Sequence, residues 1–207
     1  MRIVKTMCVI ISVICLQETG MTGGPDYNLI LKGHSASTHG GLAIYVRTDL
    51  NFDLIDVPNY SENIWECISI QVYGKATGGS KHIIGNVYRP PRDRVELLDK
   101  FLSEFNAKLE FFDQSTSVNI CGDFNLDVLK SCTNSRINRF MHESFATGYF
   151  PKILLPTRIT KTSQTLIDNI LCKFSSKFHT LKAGILTHRA SDHQPYFLAI
   201  DMPFVPR

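Results

Sequence analysis

Residues 117–125 read SVNICGDFN, an apolar run that breaks into Gly122-Asp123-Phe124-Asn125. A short run of Val, Ile and Cys closed by Gly and Asp has the form of a buried strand ending in a turn. Side chains alternate along extended backbone, so Asp123 and Asn125 leave the sheet on the same side. Two readings fit. A carboxylate at a strand end can orient or deprotonate a water, and an amide beside it can hold a phosphate oxygen. The same residues also close strands as a plain Asx turn.

Outward from this strand the period changes on both sides. From Asp93 to about Phe112, Val95, Leu98, Leu102, Phe105, Leu109 and Phe112 recur at three- and four-residue steps, which makes one apolar helix face. Asp93 is the expected N-cap, with Glu96 three residues on. A second helix is expected from about Ser135, capped by Asn134 or Ser135, with Ile137, Phe140, Met141 and Phe145 facing inward. Further out lie only strands: the run ending at Leu16, 42–46, 52–57, 64–73, 82–88, 165–172 and 195–202. The Gly-rich stretch 74–80 joins two of them as an antiparallel hairpin, and Pro90-Pro91 stops the second. Many short strands with two helices predict one α/β domain over residues 1–207, two mainly antiparallel sheets packed face to face with helices outside.

Composition narrows the class. The 207 residues are 43% hydrophobic and 20% charged, which excludes a disordered tail, a collagenous repeat and a coiled coil. Net charge is +3, too small to argue a nucleic-acid partner from bulk charge. The six cysteines are Cys8, Cys15, Cys67, Cys121, Cys132 and Cys172. Four of them sit in apolar runs and no CxxC pair occurs, so a reduced intracellular protein of nucleus or cytoplasm is expected. The N-terminus, MRIVKTMCVIISVICLQETG, scans like a signal peptide: Arg2 and Lys5, then an apolar run from Met7 to Leu16. No small-x-small cleavage site follows, and the run is about half the length that spans a bilayer. A single buried strand is preferred, with no membrane partner and no secretion.

The suspicious polar residues stand at strand ends. Asp168 lies inside TLIDNILC, where a buried carboxylate needs a partner and an imidazolium supplies one. Asp192 and His193 directly precede the strand PYFLAI, and read either as a solvated loop or as a metal-binding carboxylate beside a proton carrier. Glu18 closes the first apolar run. Carboxylates gathered in this way bind a hard cation such as Mg²⁺ through oxygen, while zinc-type spacing is absent.

The motifs LQET (16–19), GGLAIYV (40–46), NVYRPP (86–91), GDFN (122–125), PTRITKTSQTLIDNI (156–170) and SDHQP (191–195) stand in the order of the endonuclease/exonuclease/phosphatase superfamily. VYRPP and PTRIT…TLID more closely resemble the endonuclease domain of non-LTR, LINE-type retrotransposons of the jockey or CR1 kind. The resemblance runs from about residue 12 to 202. It implies a four-layered α/β sandwich and a Mg²⁺-dependent enzyme, Mn²⁺ being a possible substitute, that nicks double-stranded target DNA. Glu18 then resembles the metal-binding glutamate, and Asp192 a further metal-side carboxylate. Tyr88 resembles the tyrosine at the scissile phosphate, Asp123 the residue that activates water, and Asn125 the one that orients water or phosphate. Asp168 resembles the partner of the catalytic His193. Arg89, Arg92, Arg158, Lys161 and Arg189 flank these motifs and are expected to contact DNA phosphates.

Two departures shape the expectation. Family members carry a strand with an Asn about 30 or more residues before the LQET glutamate, whereas only seventeen residues precede Glu18 and none is Asn. An N-terminally truncated domain is therefore expected, lacking its first strand and helix, with a bare edge beside the strand leading to Glu18. The reverse transcriptase domain of a full-length polyprotein is not expected within these residues. The alternatives to a DNA-nicking enzyme are an inactive remnant of one, or another phosphoesterase of the same superfamily such as an abasic-site nuclease.

Overall fold

Largely apolar runs, most of them five to eight residues long, build two sheets. A computed structural model describes residues 6–10, 13–17, 25–32, 41–57, 61–74, 81–92, 94–112, 117–174, 181–187 and 191–200. Sheet I has β1 (Thr6–Ile10), β2 (Val13–Gln17), β3 (Tyr27–Lys32), β4 (Leu42–Arg47), β13 (Leu181–Ile185) and β14 (Tyr196–Ile200), in the order β13-β14-β1-β2-β4-β3. Sheet II has β5 (Asn51–Leu54), β6 (Glu66–Tyr73), β7 (His82–Tyr88), β8 (Ser117–Asp123), β9 (Phe150–Pro151) and β12 (Asp168–Phe174), in the order β5-β6-β7-β8-β12-β9. A small hairpin, β10 (Arg158–Ile159) with β11 (Gln164–Thr165), stands apart. Sheet II has one parallel pair, β7 with β8, and the helix α1 (Val95–Phe111) makes the connection that a parallel pair requires.

Alternation along the strands of sheet II sorts the two cores. Ile68, Ile70, Ile84, Cys121, Ile170 and Cys172 pack with Leu42, Ile44, Val46 and Leu198 of sheet I. Cys67, Ile83, Val87, Val118, Ile120 and Leu171 face the other way, against Phe101, Phe105 and Leu109 of α1 and Phe140 of α2 (Ser135–Ala146). Every residue of β8 is buried, as expected for a strand covered on both faces. Both described helices therefore lie on the outer face of sheet II, and the described residues provide three of the four layers. No described helix is long and apolar enough to cross a membrane.

Several local readings need correcting. Met7–Leu16 is not one strand: β1 and β2 pair antiparallel, with Cys8 opposite Cys15. β1 also pairs parallel to β14, so β2 has β1 on one side and β4 on the other. The bare edge expected beside β2 is absent, because β1 fills that place without carrying an Asn. The N-cap of α1 is Arg94, with no side-chain cap bond, and Asp93 lies outside the described residues. Val95 is exposed, while Leu97 and Leu98 of the same turn pack half-buried against the core. In α2 the buried face is Ile137, Phe140, Met141 and Ser144, so Ser144 takes the slot expected for Phe145. Phe145 lies outside and stacks on Phe150 at 5.6 Å. Asn134 is the cap, its side chain accepting from the backbone N–H groups of Arg136 and Ile137. Among the described residues, Cys15, Cys67, Cys121, Cys132 and Cys172 form no disulfide.

Candidate active site

One end of sheet II carries a row of polar residues in register. Glu66 is opposite Tyr88, Tyr88 opposite Asp123, and Asp123 opposite Asp168. Residues paired across neighbouring strands share a face, so the four side chains line up toward sheet I. All four are buried. Near its end β8 runs tightly against β7: a Cβ on Gly122 would lie 2.0 Å from the Val87 carbonyl oxygen, so only glycine fits ahead of Asp123.

His193 reaches this row from the far end of the sequence. Its Nδ1 lies 3.1 and 3.0 Å from the two carboxylate oxygens of Asp168. The segment carrying it is pinned to the stretch before β12. Ile159 N donates to the Asp192 carbonyl at 2.8 Å, and Gln194 N to the Thr157 carbonyl at 2.7 Å. The buried Thr157 hydroxyl in turn accepts from the Asp168 backbone N–H at 3.1 Å. Ligand atoms of Asp123, Asp168 and His193 all fall within 4.8 Å of one another. Burial pushes the His193 imidazole down. The hydrogen bond and charge of Asp168, joined by the charges of Asp123 and Asp192, outweigh burial and hold its pKa above the ordinary value.

Asn125 and Arg89 clamp the turn behind Asp123. Asn125 has positive φ (48°), a conformation that Asn tolerates better than most residues, and its N–H donates to Asp123 Oδ1 at 2.9 Å. The Asx turn is thus real, and it orients the carboxylate. The Asn125 amide, expected on water or phosphate, donates to the Arg89 carbonyl at 2.8 Å. Arg89 is only 5% exposed. Its Nε and Nη2 donate to the carbonyls of Phe124 and Asn125, each at 2.7 Å, and its guanidinium lies over Phe101. A surface DNA contact is therefore the wrong reading of Arg89. In the position following β7 its side chain turns inward to satisfy carbonyls that β-pairing leaves open.

The other predicted residues spread out. Asp192 forms an ion pair with Arg158 Nε at 2.7 Å and stands outside the Asp123–Asp168–His193 group. Burial raises its pKa, but the hydrogen bond from Arg158 and the charges of His193 and Arg158 carry it below the ordinary carboxylate value. Arg92 is exposed and donates to the Asn63 carbonyl, and Lys161 is exposed between β10 and β11. Glu18 and Arg189 lie outside the described residues.

Glu66 escaped the sequence reading. It is buried, and its Oε2 accepts from Gly41 N at 3.0 Å, tying β6 to the start of β4. The signal was present: Glu66 is the one charged residue in IWECISIQVY, the argument already applied to Asp168. The carboxylate oxygens of Asp123 and Asp168 fit a hard divalent cation of the Mg²⁺ or Mn²⁺ type, while the His193 imidazole stays engaged with Asp168.

Replacing Arg89 by Ala is expected to lower the unfolding free energy by about 3 kcal/mol, since bonds to a charged donor contribute about 1.5–3 kcal/mol each. Denaturant melts check this. The salt slope of DNA binding should be untouched by Arg89→Ala, whereas Lys161→Ala should reduce it by about one. An unchanged melt with a reduced slope would return Arg89 to the DNA surface.

Comparisons with known proteins agree with the architecture. The family model described as Endonuclease/Exonuclease/phosphatase family matches residues 10–193. The endonuclease domain of TRAS1, a telomere-specific non-LTR retrotransposon, superposes with TM-score 0.66 at 16% identity, over 88% of this chain and 82% of that one. The APE2 catalytic domain of Xenopus laevis gives TM-score 0.63 at 16% identity, over 89% and 82%. The 3′ phosphatase NExo from Neisseria, bound to a product DNA hairpin, gives 0.60 at 15% identity, over 93% and 89%. No curated protein matches the sequence.

Proposed function

The chain belongs to the endonuclease/exonuclease/phosphatase family, and from that membership we propose that it hydrolyses phosphodiester bonds of double-stranded DNA, nicking target DNA as the endonuclease of a non-LTR retrotransposon. The observation that carries this reading is the convergence of Asp123, Asp168 and His193 at one sheet end. A phosphodiester is anionic and inert, so its hydrolysis needs charge neutralisation, an aligned water and a stabilised leaving oxygen. Asp123, with one oxygen held by the Asn125 N–H, is positioned to take a proton from the attacking water. Asp168 holds the His193 ring by Nδ1 and favours its protonated form, which leaves Nε2–H for a phosphate oxygen. Tyr88, one strand from Asp123, contacts the same phosphate in this scheme. A divalent cation held by the carboxylates, with Glu18 and Asp192 assigned to that side, would supply further charge neutralisation at the phosphate. Arg92, Arg158, Lys161 and Arg189 would hold the flanking phosphates, and a reverse transcriptase domain in a longer polyprotein would use the nick.

Supercoiled plasmid separates this from its relatives. Conversion to nicked circle is expected on undamaged DNA. Cleavage only at an abasic site, or only release of a 3′ phosphate, would move the assignment to another branch of the family. No reaction on any of the three would make the chain an inactive remnant.

A further inference from the structure

The strongest feature outside the catalytic row is an apolar bulge at its edge. The chain runs beside β12 from β9 onward: Lys152 N donates to the Ile170 carbonyl, and Asn169 Nδ2 donates to the Ile153 carbonyl at 2.8 Å. Thr157 then takes the Asp168 N–H. Only Leu154, Leu155 and Pro156 lie between these anchors, so they loop out of the sheet edge at the level of Asp168 and Asn169. Leu154 is 70% and Leu155 68% exposed, while Ile159, just beyond, is 43% exposed. Their backbone is fixed at both ends and Pro156 restricts it further. Two adjacent leucines held rigidly in water forgo the burial free energy that such side chains gain elsewhere.

The charge around them points to the occupant. From Ser144 to Ile167 there is no Asp or Glu, but there are Lys152, Lys161 and Arg158, the last paired with Asp192 from outside the segment. An apolar tip within a cationic, acid-free segment suits a polyanion that also offers apolar stacked surface, which describes nucleic acid. A duplex whose backbone enters the Asp123–His193 site must also cover the rim beside Asp168.

Building on the nuclease reading, we propose that Leu154 and Leu155 form a wedge that enters a groove of duplex DNA and loosens the base step beside the scissile phosphate. Apolar wedges of this type partly unstack one step and kink the duplex toward its major groove. The wedge positions the substrate and takes no part in the chemistry. It also favours sites whose base step unstacks cheaply, which gives target selection without hydrogen bonds to base edges.

Leu154→Ala/Leu155→Ala tests it with two readouts. The variant should nick intact duplex about tenfold more slowly than wild type, and a mismatch at the loosened step should bring the two within about twofold. Its thermal melt should be unchanged, because both side chains are exposed. Equal nicking of intact duplex by both proteins would overturn the wedge. The second readout needs no catalysis: 2-aminopurine at the step should brighten when wild-type chain binds duplex and stay dark with the variant. If neither protein cleaves but wild type alone brightens the probe, the nuclease reading fails and the wedge stands. If wild type binds without brightening it, the wedge is overturned.

Discussion

Asp168→Asn and His193→Ala are each expected to reduce nicking by several orders of magnitude, and the double variant should be little worse than either. Nδ1 of His193 sits between both oxygens of Asp168, so the two side chains act as one unit, and losses within a unit do not multiply. Asp168→Asn retains the shape of the side chain but replaces a charge with an amide. A titration of the imidazole separates a charge role from packing. Its midpoint should lie above the free value of about 6.5 in the wild-type chain and fall in Asp168→Asn. The sign carries to stability. A histidine whose folded pKa is raised contributes fully below the unfolded value and loses that contribution as pH rises through the folded one. The melting temperature difference between wild type and Asp168→Asn should therefore shrink from mildly acid to alkaline pH. Losses that multiply in the double variant would show that the two residues work independently.

Asp123→Asn is the second large effect, expected at about 10²–10⁴-fold in rate, the usual contribution of a positioned general base. The substitution spares the fold, since an Asn oxygen can still accept the Asn125 N–H that closes the turn. Binding of duplex should be nearly unchanged, because Asp123 acts on the water and not on the DNA. A variant that keeps most of its rate would assign the base to another residue, with Glu66, two strands away, the next candidate.

How far the sequence could be read depended on what kind of information each feature needed. Periodicity reports the face on which a side chain lies, so the interior strand β8, the helix α2 and the isolated carboxylate of Asp168 were legible. It does not report neighbours. That Asp123 and Asp168 are paired partners, 45 positions apart in sequence, follows from the antiparallel register of β8 and β12, which no local pattern encodes. Arg89 was misplaced for a related reason. A cation after a strand and before Pro-Pro has the look of a surface loop, and only the close approach of β7 to the GDFN turn creates buried carbonyls for it to bind. Glu66 was missed although the rule that found Asp168 applied equally. β1 was hidden because Met7–Leu16 is apolar but for Ser12, and one polar residue does not by itself show where a chain reverses.

Plasmid nicking with and without a chelator bears most directly on the site as a cation-dependent phosphodiesterase centre. The purified chain should convert supercoiled plasmid to nicked circle in Mg²⁺ or Mn²⁺, lose this in EDTA, and regain it when the cation is restored in excess. Full nicking in EDTA would contradict the assignment of Asp123, Asp168 and their neighbours as a cation-binding phosphodiesterase site.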